Sequence, residues 1–284
     1  MSESAKNGKA LEYEIAKQLL DGGAIGLVST IAYQARDRPH FATRPLHIRF
    51  RFVEAANVIV QWMTIESGGA VLTVRRMEDD SGDVADLVVG GAGSRITRCS
   101  IKHNHHALKH PRPYSLAQAC GFPKESPEDL QQRIAMERAA KSFRAAASAA
   151  GHSRYRDVPD GKERLYRDVI EACADSISRW EEKRGCAAPL FQFLVGSGFK
   201  KLIVSPEPGG AIELQDFSSL VSPAKVAARR TTDPERLELS FNNHWVIHCR
   251  LHTAATEIST GSSQLSLKFD VQRVHGSVPT KRLA

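Results

Sequence analysis

Apolar residues four apart mark the start of the chain. Leu11, Ile15 and Leu19 fall on one face of a helical repeat within residues 6–20, and Asp21-Gly22-Gly23 ends the pattern. The spacing predicts an amphipathic helix with Glu12 at the border of its apolar stripe. The pattern then changes. Ile48-Arg49-Phe50-Arg51-Phe52 alternates, Asn57-Val58-Ile59-Val60-Gln61-Trp62 is rich in β-branched residues, and Gly68-Gly69 breaks the run. Strands are expected from about 48 to 75.

Asp83-Val84-Ala85-Asp86-Leu87-Val88-Val89, the glycine-rich Gly90–Ser94 and Arg95–His103 read as strand, turn and strand. Beyond Pro111 and Pro113 the composition turns helical. Ser126-Pro127-Glu128-Asp129 supplies a cap, a proline in the first turn and acids at the positive end of the helix dipole, and Gly151 ends a helix expected to reach Ala150. A second helix is expected from Gly161 to Lys183, with Leu165, Val169, Ala172, Ile177 and Trp180 as its apolar face and Gly185 as its stop.

Strands return after Phe199. Lys201–Val204 and Ala211–Leu214 flank Pro206-Glu207-Pro208-Gly209-Gly210 as a hairpin, and Leu237–Thr253 and Leu265–Val271 give two more. No internal repeat or low-complexity segment appears. The mixture of helices and hairpins predicts an α/β fold of the mixed α+β kind rather than a regular βαβ alternation. Residues 1–113 are expected to hold a core with the glycine hairpin, 114–198 a helical region, and 199–284 a β-rich region completing the same domain.

Composition narrows the picture. A chain of 284 residues with 42% hydrophobic and 25% charged positions can build its core without staples. Cys99, Cys120, Cys173, Cys186 and Cys249 form no C-x-x-C pair, so reduced, structural cysteines are expected. No apolar run approaches the roughly 18 residues of a membrane span, and the first residues lack the basic-then-apolar pattern of a signal peptide. The expected location is therefore cytoplasmic, with no membrane partner. A formal net charge of +7 and a pI of about 9.2 favour a polyanionic partner, because each phosphate that is neutralised releases counterions.

The glycine hairpin carries the candidate chemistry. Phosphodiester cleavage needs an activated water, a cation to stabilise developing charge and usually a lysine to position or deprotonate the water. Side chains two apart on a strand share a face, so Ser100 and Lys102 point the same way, and Asp86 on the preceding strand can join them. A turn centred near Ser94 would set Asp86 opposite Lys102; one centred on Gly91–Gly93 would set it across from Cys99 or nearby. Either register keeps carboxylate and amine within reach. Mg²⁺ wants oxygen ligands, for which Asp86, the Ile101 carbonyl, Asp83 and Glu12 are the candidates.

The polar residues that follow suit a DNA partner. Lys109 and Arg112 are expected on phosphates, and His103 and Asn104 on base edges or backbone. His248, Arg250 and His252 alternate on an expected strand and form a second contact set. His103, His105, His106 and His110 also suggest a transition-metal site, but strand alternation sends His103 and Asn104 to opposite faces and no cysteine lies close.

Ala85-Asp86 and Ser100-Ile101-Lys102 resemble the PD-(D/E)XK nucleases, with serine where a second acid usually stands. Gly82-Asp83-Val84-Ala85-Asp86 and Ser100-Ile101-Lys102-His103-Asn104-His105-His106-Ala107-Leu108-Lys109-His110 together are similar to the HaeIII family of type II restriction endonucleases. Gly8–Glu12, Arg250–Ala254 and Leu267–Val271 extend the similarity over most of the chain. The resemblance implies a PD-(D/E)XK core with a helical insertion and a C-terminal β-rich DNA-contact region. It also implies Mg²⁺-dependent cutting of double-stranded DNA at a short site, GGCC in the family. Catalytic roles carry over to Asp86, Ser100 and Lys102, and by extension to Glu12 and Asp83. Symmetric sites favour a homodimer, with a monomer open. The rival expectations are a structure-specific repair or recombination nuclease of the same fold and a catalytically silent DNA-binding protein.

Overall fold

The computed structural model describes residues 3–77, 85–104, 108–158, 160–205, 211–259 and 264–283. The chain runs α1 (Glu3–Asp21), β1 (Ile25–Gly26), α2 (Val28–Ala42), α3 (Leu46–Glu66), β2 (Val71–Arg76), β3 (Leu87–Gly91) and β4 (Ile96–His103). It continues through α4 (Leu116–Ala119), α5 (Pro127–Ala149), α6 (Gly161–Arg184), α7 (Ala187–Leu194), β5 (Lys200–Val204) and β6 (Ile212–Asp216). It ends with β7 (Val226–Arg230), β8 (Arg236–Phe241), β9 (Val246–Thr253), β10 (Leu267–His275) and β11 (Thr280–Arg282). Helices take about 47% of the described residues and strands about 25%, so the fold is mixed α+β.

Two compact units emerge. One comprises Met1–His106, Ser197–Leu220 and Val278–Ala284; the other comprises Ala107–Gly196 and Val221–Ser277. This division differs from boundaries at 113 and 198, for a topological reason. β4 and β5 are parallel neighbours, and parallel neighbours need a crossover connection between them. The crossover carries α4 to α7. A second excursion between β6 and β11 carries β7 to β10, which pair with one another and form a sheet of their own.

The first unit is built on a seven-stranded sheet of order β1-β2-β3-β4-β5-β6-β11. Leu11, Ile15 and Leu19 of α1 and Phe52, Ile59 and Met63 of α3 bury against Val74, Leu87, Val89, Cys99, Ile101 and Leu202 of the sheet. α1 thus follows its expected periodicity and stops at Gly22-Gly23, where Gly23 takes a φ of +95°.

Residues 46–66 correct an expectation: they form one helix, not strands. The buried positions Phe52, Ala55, Ala56, Ile59, Trp62 and Met63 recur every three to four residues, the helical period. Local β-propensity of the valine and isoleucine run is overridden by that stripe, which needs a helix to face the core. α2 had no sequence expectation.

In the second unit, Ser126 accepts a hydrogen bond from the Asp129 amide at 3.3 Å, the expected cap, with Pro127 at the first helical position of α5. α6 buries Leu165, Val169, Cys173, Ile177 and Trp180. The antiparallel sheet β10-β9-β8-β7 alternates buried and more exposed residues along β8, β9 and β10, so one face meets the core. The stretch Leu237–Thr253, expected as one strand, is β8 and β9 joined by a turn in which His244 has a φ of +66°. β7 was not foreseen.

All five cysteines are free and buried. No helix among the described residues is long and apolar enough to cross a membrane.

Candidate active site

β4 outruns β3, and the overhang makes a notch. The β3–β4 ladder ends where Leu87 pairs with Cys99, while β4 continues beside β5 as far as His103. A backbone N–H on the open side of β4 then needs another partner. Asp86 supplies it. Its own amide donates to the Cys99 carbonyl at 2.8 Å and its carbonyl accepts from the Met77 amide at 3.1 Å, so the backbone of residue 86 is held from both sides. Asp86 Oδ2 then accepts from the Ile101 amide at 2.6 Å, Ser100 Oγ at 3.1 Å and Lys102 Nζ at 3.0 Å.

This register centres the turn near Gly93 and sets Asp86 level with Ser100. The alternative with Asp86 directly opposite Lys102 does not occur; the lysine reaches back along the strand. Ser100 is buried, whereas Lys102 and Asp86 keep 29% and 24% of their side chains exposed. Ile101 contributes its amide, and its side chain belongs to the core on the other face.

Glu12 arrives from α1. The helix buries Leu11 and leaves the neighbouring Glu12 with 17% exposure, close enough to Asp86 and Lys102 to feel both charges. Burial, then the negative charge of Asp86, pushes its carboxyl up to about 7, against the opposing pull of Arg76 and Lys102.

Arg76 at the end of β2 pairs with Glu12 on one side and with Asp37 Oδ2 at 2.7 Å on the other. Arg76 and Asp37 are almost wholly buried, and Arg36 Nε closes the chain on Asp37 Oδ1 at 2.7 Å. Sequence reasoning missed this clamp. Its available signal was a single acid, Asp37, set among arginines, and an Arg-Arg pair ending a strand.

The remaining expected residues fall in several places. Asp83, His105 and His106 lie outside the described residues. The His103 ring packs edge-on against Phe52, with centroids 5.4 Å apart, and burial followed by the Arg51 charge lowers its pKa. Asn104 is exposed with a φ of +50°, and its amide donates to the Val204 carbonyl.

Lys109 stacks its ammonium 4.1 Å from the Phe193 ring centroid, Arg112 is exposed, and His110 lies 3.6 Å from Asp270. His248, Arg250 and His252 do share the more exposed face of β9, but His248 meets Glu238 at 3.0 Å and Arg250 meets Glu235 at 3.2 Å. Both belong to the second unit's own charge pairs.

Among the described residues no three His, Cys, Asp or Glu side chains gather as a metal-ligand group. The pair Glu12 and Asp86 is nonetheless compatible with Mg²⁺, which keeps several waters and takes one or two carboxylates. The Ser100, Ile101 and Lys102 donors all meet Oδ2 of Asp86, and among the described residues none meets Oδ1, the oxygen that a cation would take. No family model matches the chain, and neither curated proteins nor solved structures give a match to it.

Proposed function

We propose that this protein is a Mg²⁺-dependent endonuclease of the type II restriction class, acting on double-stranded DNA through Asp86, Glu12 and Lys102. One observation carries the reading: Lys102 Nζ, Ser100 Oγ and the Ile101 amide converge on one oxygen of Asp86, with a second carboxylate, Glu12, alongside. The similarity of residues 82–86 and 100–110 to the HaeIII family supports it, and so does the positive net charge. A PD-(D/E)XK core, with α1 bringing Glu12 to the hairpin of β3 and β4, is part of the same proposal.

Asp86 and Glu12 would hold the ion, which when bound supplies Lewis-acid stabilisation of charge on the phosphoryl oxygens. Lys102, partly exposed, can meet the attacking water and hold or accept its proton at Nζ. Ser100, standing where a second acid is usual, donates to Asp86 and fixes the orientation of its carboxylate. A two-fold dimer would present one such centre to each strand of a symmetric site. GGCC is the site the resemblance suggests.

Incubation of supercoiled plasmid with the protein in Mg²⁺, against an EDTA control, tests the reading. Discrete fragments with a common end sequence are expected. Nicking that follows DNA structure would point to a repair nuclease of the same fold, and binding without cutting to a silent DNA-binding protein.

A further inference from the structure

Much of the chain's positive charge is concentrated in one short stretch. Residues 36–51 hold Arg36, Arg38, Arg44, Arg49 and Arg51 with His40 and His47, against one acid, Asp37. That is a formal excess of four, in a protein whose whole net charge is +7. The one acid, Asp37, is buried and bonded to Arg36 and Arg76, so Arg36 is spent within the stretch. Arg44 is likewise spent, on Glu3 and Asn7. Arg38 is exposed, and no acid among the described residues pairs with it. Arg49 is half-buried, with its Nε enclosed and without a hydrogen-bond partner, so an outside phosphate would meet the terminal nitrogens of its guanidinium.

The stretch also lies near the candidate chemistry. It spans the end of α2 and the start of α3, and both helices pack against α1, the helix that carries Glu12. Arg51 is close enough to His103, the last residue of β4, for its charge to act on the imidazole, and the next residue, Phe52, touches that ring. From Asp37 the bonded path to Glu12 runs through Arg76 alone.

We infer that residues 36–51 form a phosphate-binding surface for the backbone of duplex DNA beside the Asp86 centre, with Arg38 and Arg49 as its principal contacts. The inference rests on the nuclease reading for its choice of duplex DNA. Guanidinium groups suit the role because their fork of donors matches phosphate oxygens. Such contacts fix position on the duplex without reading sequence.

The test is binding of a labelled duplex of about 20 base pairs in EDTA, where no metal-dependent cutting occurs, measured over a range of salt concentrations. Arg38→Ala and Arg49→Ala are each expected to weaken binding equally for GGCC-containing and random duplexes. Each should lower the log–log salt slope by about one, and the double variant by about two. Arg38→Lys and Arg49→Lys keep the charge and should hold the slope. Arg230→Ala, in the second unit and paired with Glu171, serves as the control.

A slope unchanged in the double alanine variant overturns the inference, as does preference of the wild type for single-stranded RNA or failure to bind the duplex at all. Plasmid cutting in Mg²⁺ keeps the two readings apart. Cutting by the wild type with unchanged slopes in the variants defeats only this surface. Loss of slope in the variants of a protein that never cuts supports the surface and defeats the nuclease.

Discussion

Replacing Glu12 by glutamine tests the electrostatics of the centre without any substrate. In the metal-free protein, burial and the Asp86 charge raise the Glu12 carboxyl from 4.5 to about 7. Between those values the folded state holds a proton that the unfolded chain has released. Stability from this group is therefore fully present below the unfolded value and is lost as pH rises through the folded one. A tenfold difference in proton affinity between folded and unfolded chain is worth about 1.4 kcal/mol, so the rise amounts to about 3 kcal/mol between the two limits.

Glu12→Gln keeps the shape and removes the titration. Urea unfolding of both proteins in EDTA, across this pH range, should show the wild type losing about 3 kcal/mol relative to the variant on going from acid to neutral pH. Added Mg²⁺ should reverse the loss in the wild type and act less on the variant, because a ligand that binds only the folded state stabilises it. Parallel pH dependences of the two proteins would refute this, since the glutamate would then be an ordinary surface acid.

Asp86→Ala or Lys102→Ala should each reduce plasmid cleavage by roughly 10³-fold or more with folding preserved by circular dichroism, as removal of groups acting on transition-state charge does. Ser100→Asp should retain far more activity in Mg²⁺ than Lys102→Ala, compared by initial rates. Ile59→Ala should cost roughly 2–5 kcal/mol in urea unfolding, because its side chain is fully buried in the α3 stripe; a cost near zero would place it outside the core.

Short-range signals in the sequence were reliable where each reports on its own neighbourhood. The four-residue spacing of Leu11, Ile15 and Leu19 gave α1, the Ser126 cap with Pro127 gave the start of α5, and the glycine-rich Gly90–Ser94 marked the reversal between β3 and β4, although Gly90 and Gly91 belong to β3 and the turn itself is Ala92–Ser94. The valine and isoleucine run of α3 misled because β-branching is a local preference, whereas the stripe from Phe52 to Met63 is satisfied only against a sheet assembled from distant residues.

The division into units was hidden for a similar reason. Nothing near residue 104 announces that β4 will pair with β5, almost a hundred residues on, or that the strands after Leu220 will pair among themselves. At the site, Asp86, Ser100 and Lys102 were legible because they lie on one hairpin. The Arg76–Asp37 clamp joins a strand to a helix 39 residues away, and no local pattern encodes it.

The unequal lengths of β3 and β4 explain why a serine suits position 100. Where the ladder stops at Leu87 and Cys99, the open edge of β4 offers the Ile101 amide, and Asp86 fills it with a carboxylate oxygen. Ser100 is buried at the same level, and Glu12 stands close by. In the absence of a cation, a carboxylate at position 100 would be a third negative charge in a space already holding two, and like charges in such a space disfavour ionisation. Serine instead donates a hydrogen bond to Asp86, lowering the cost of burying its charge without adding another. In the proposed metal site the second acid would then be best supplied from a separate element, where its distance is set by helix packing rather than by strand register. α1 meets that requirement, placing Glu12 where Arg76 balances part of its charge, a role that a cation would take over in the proposed nuclease.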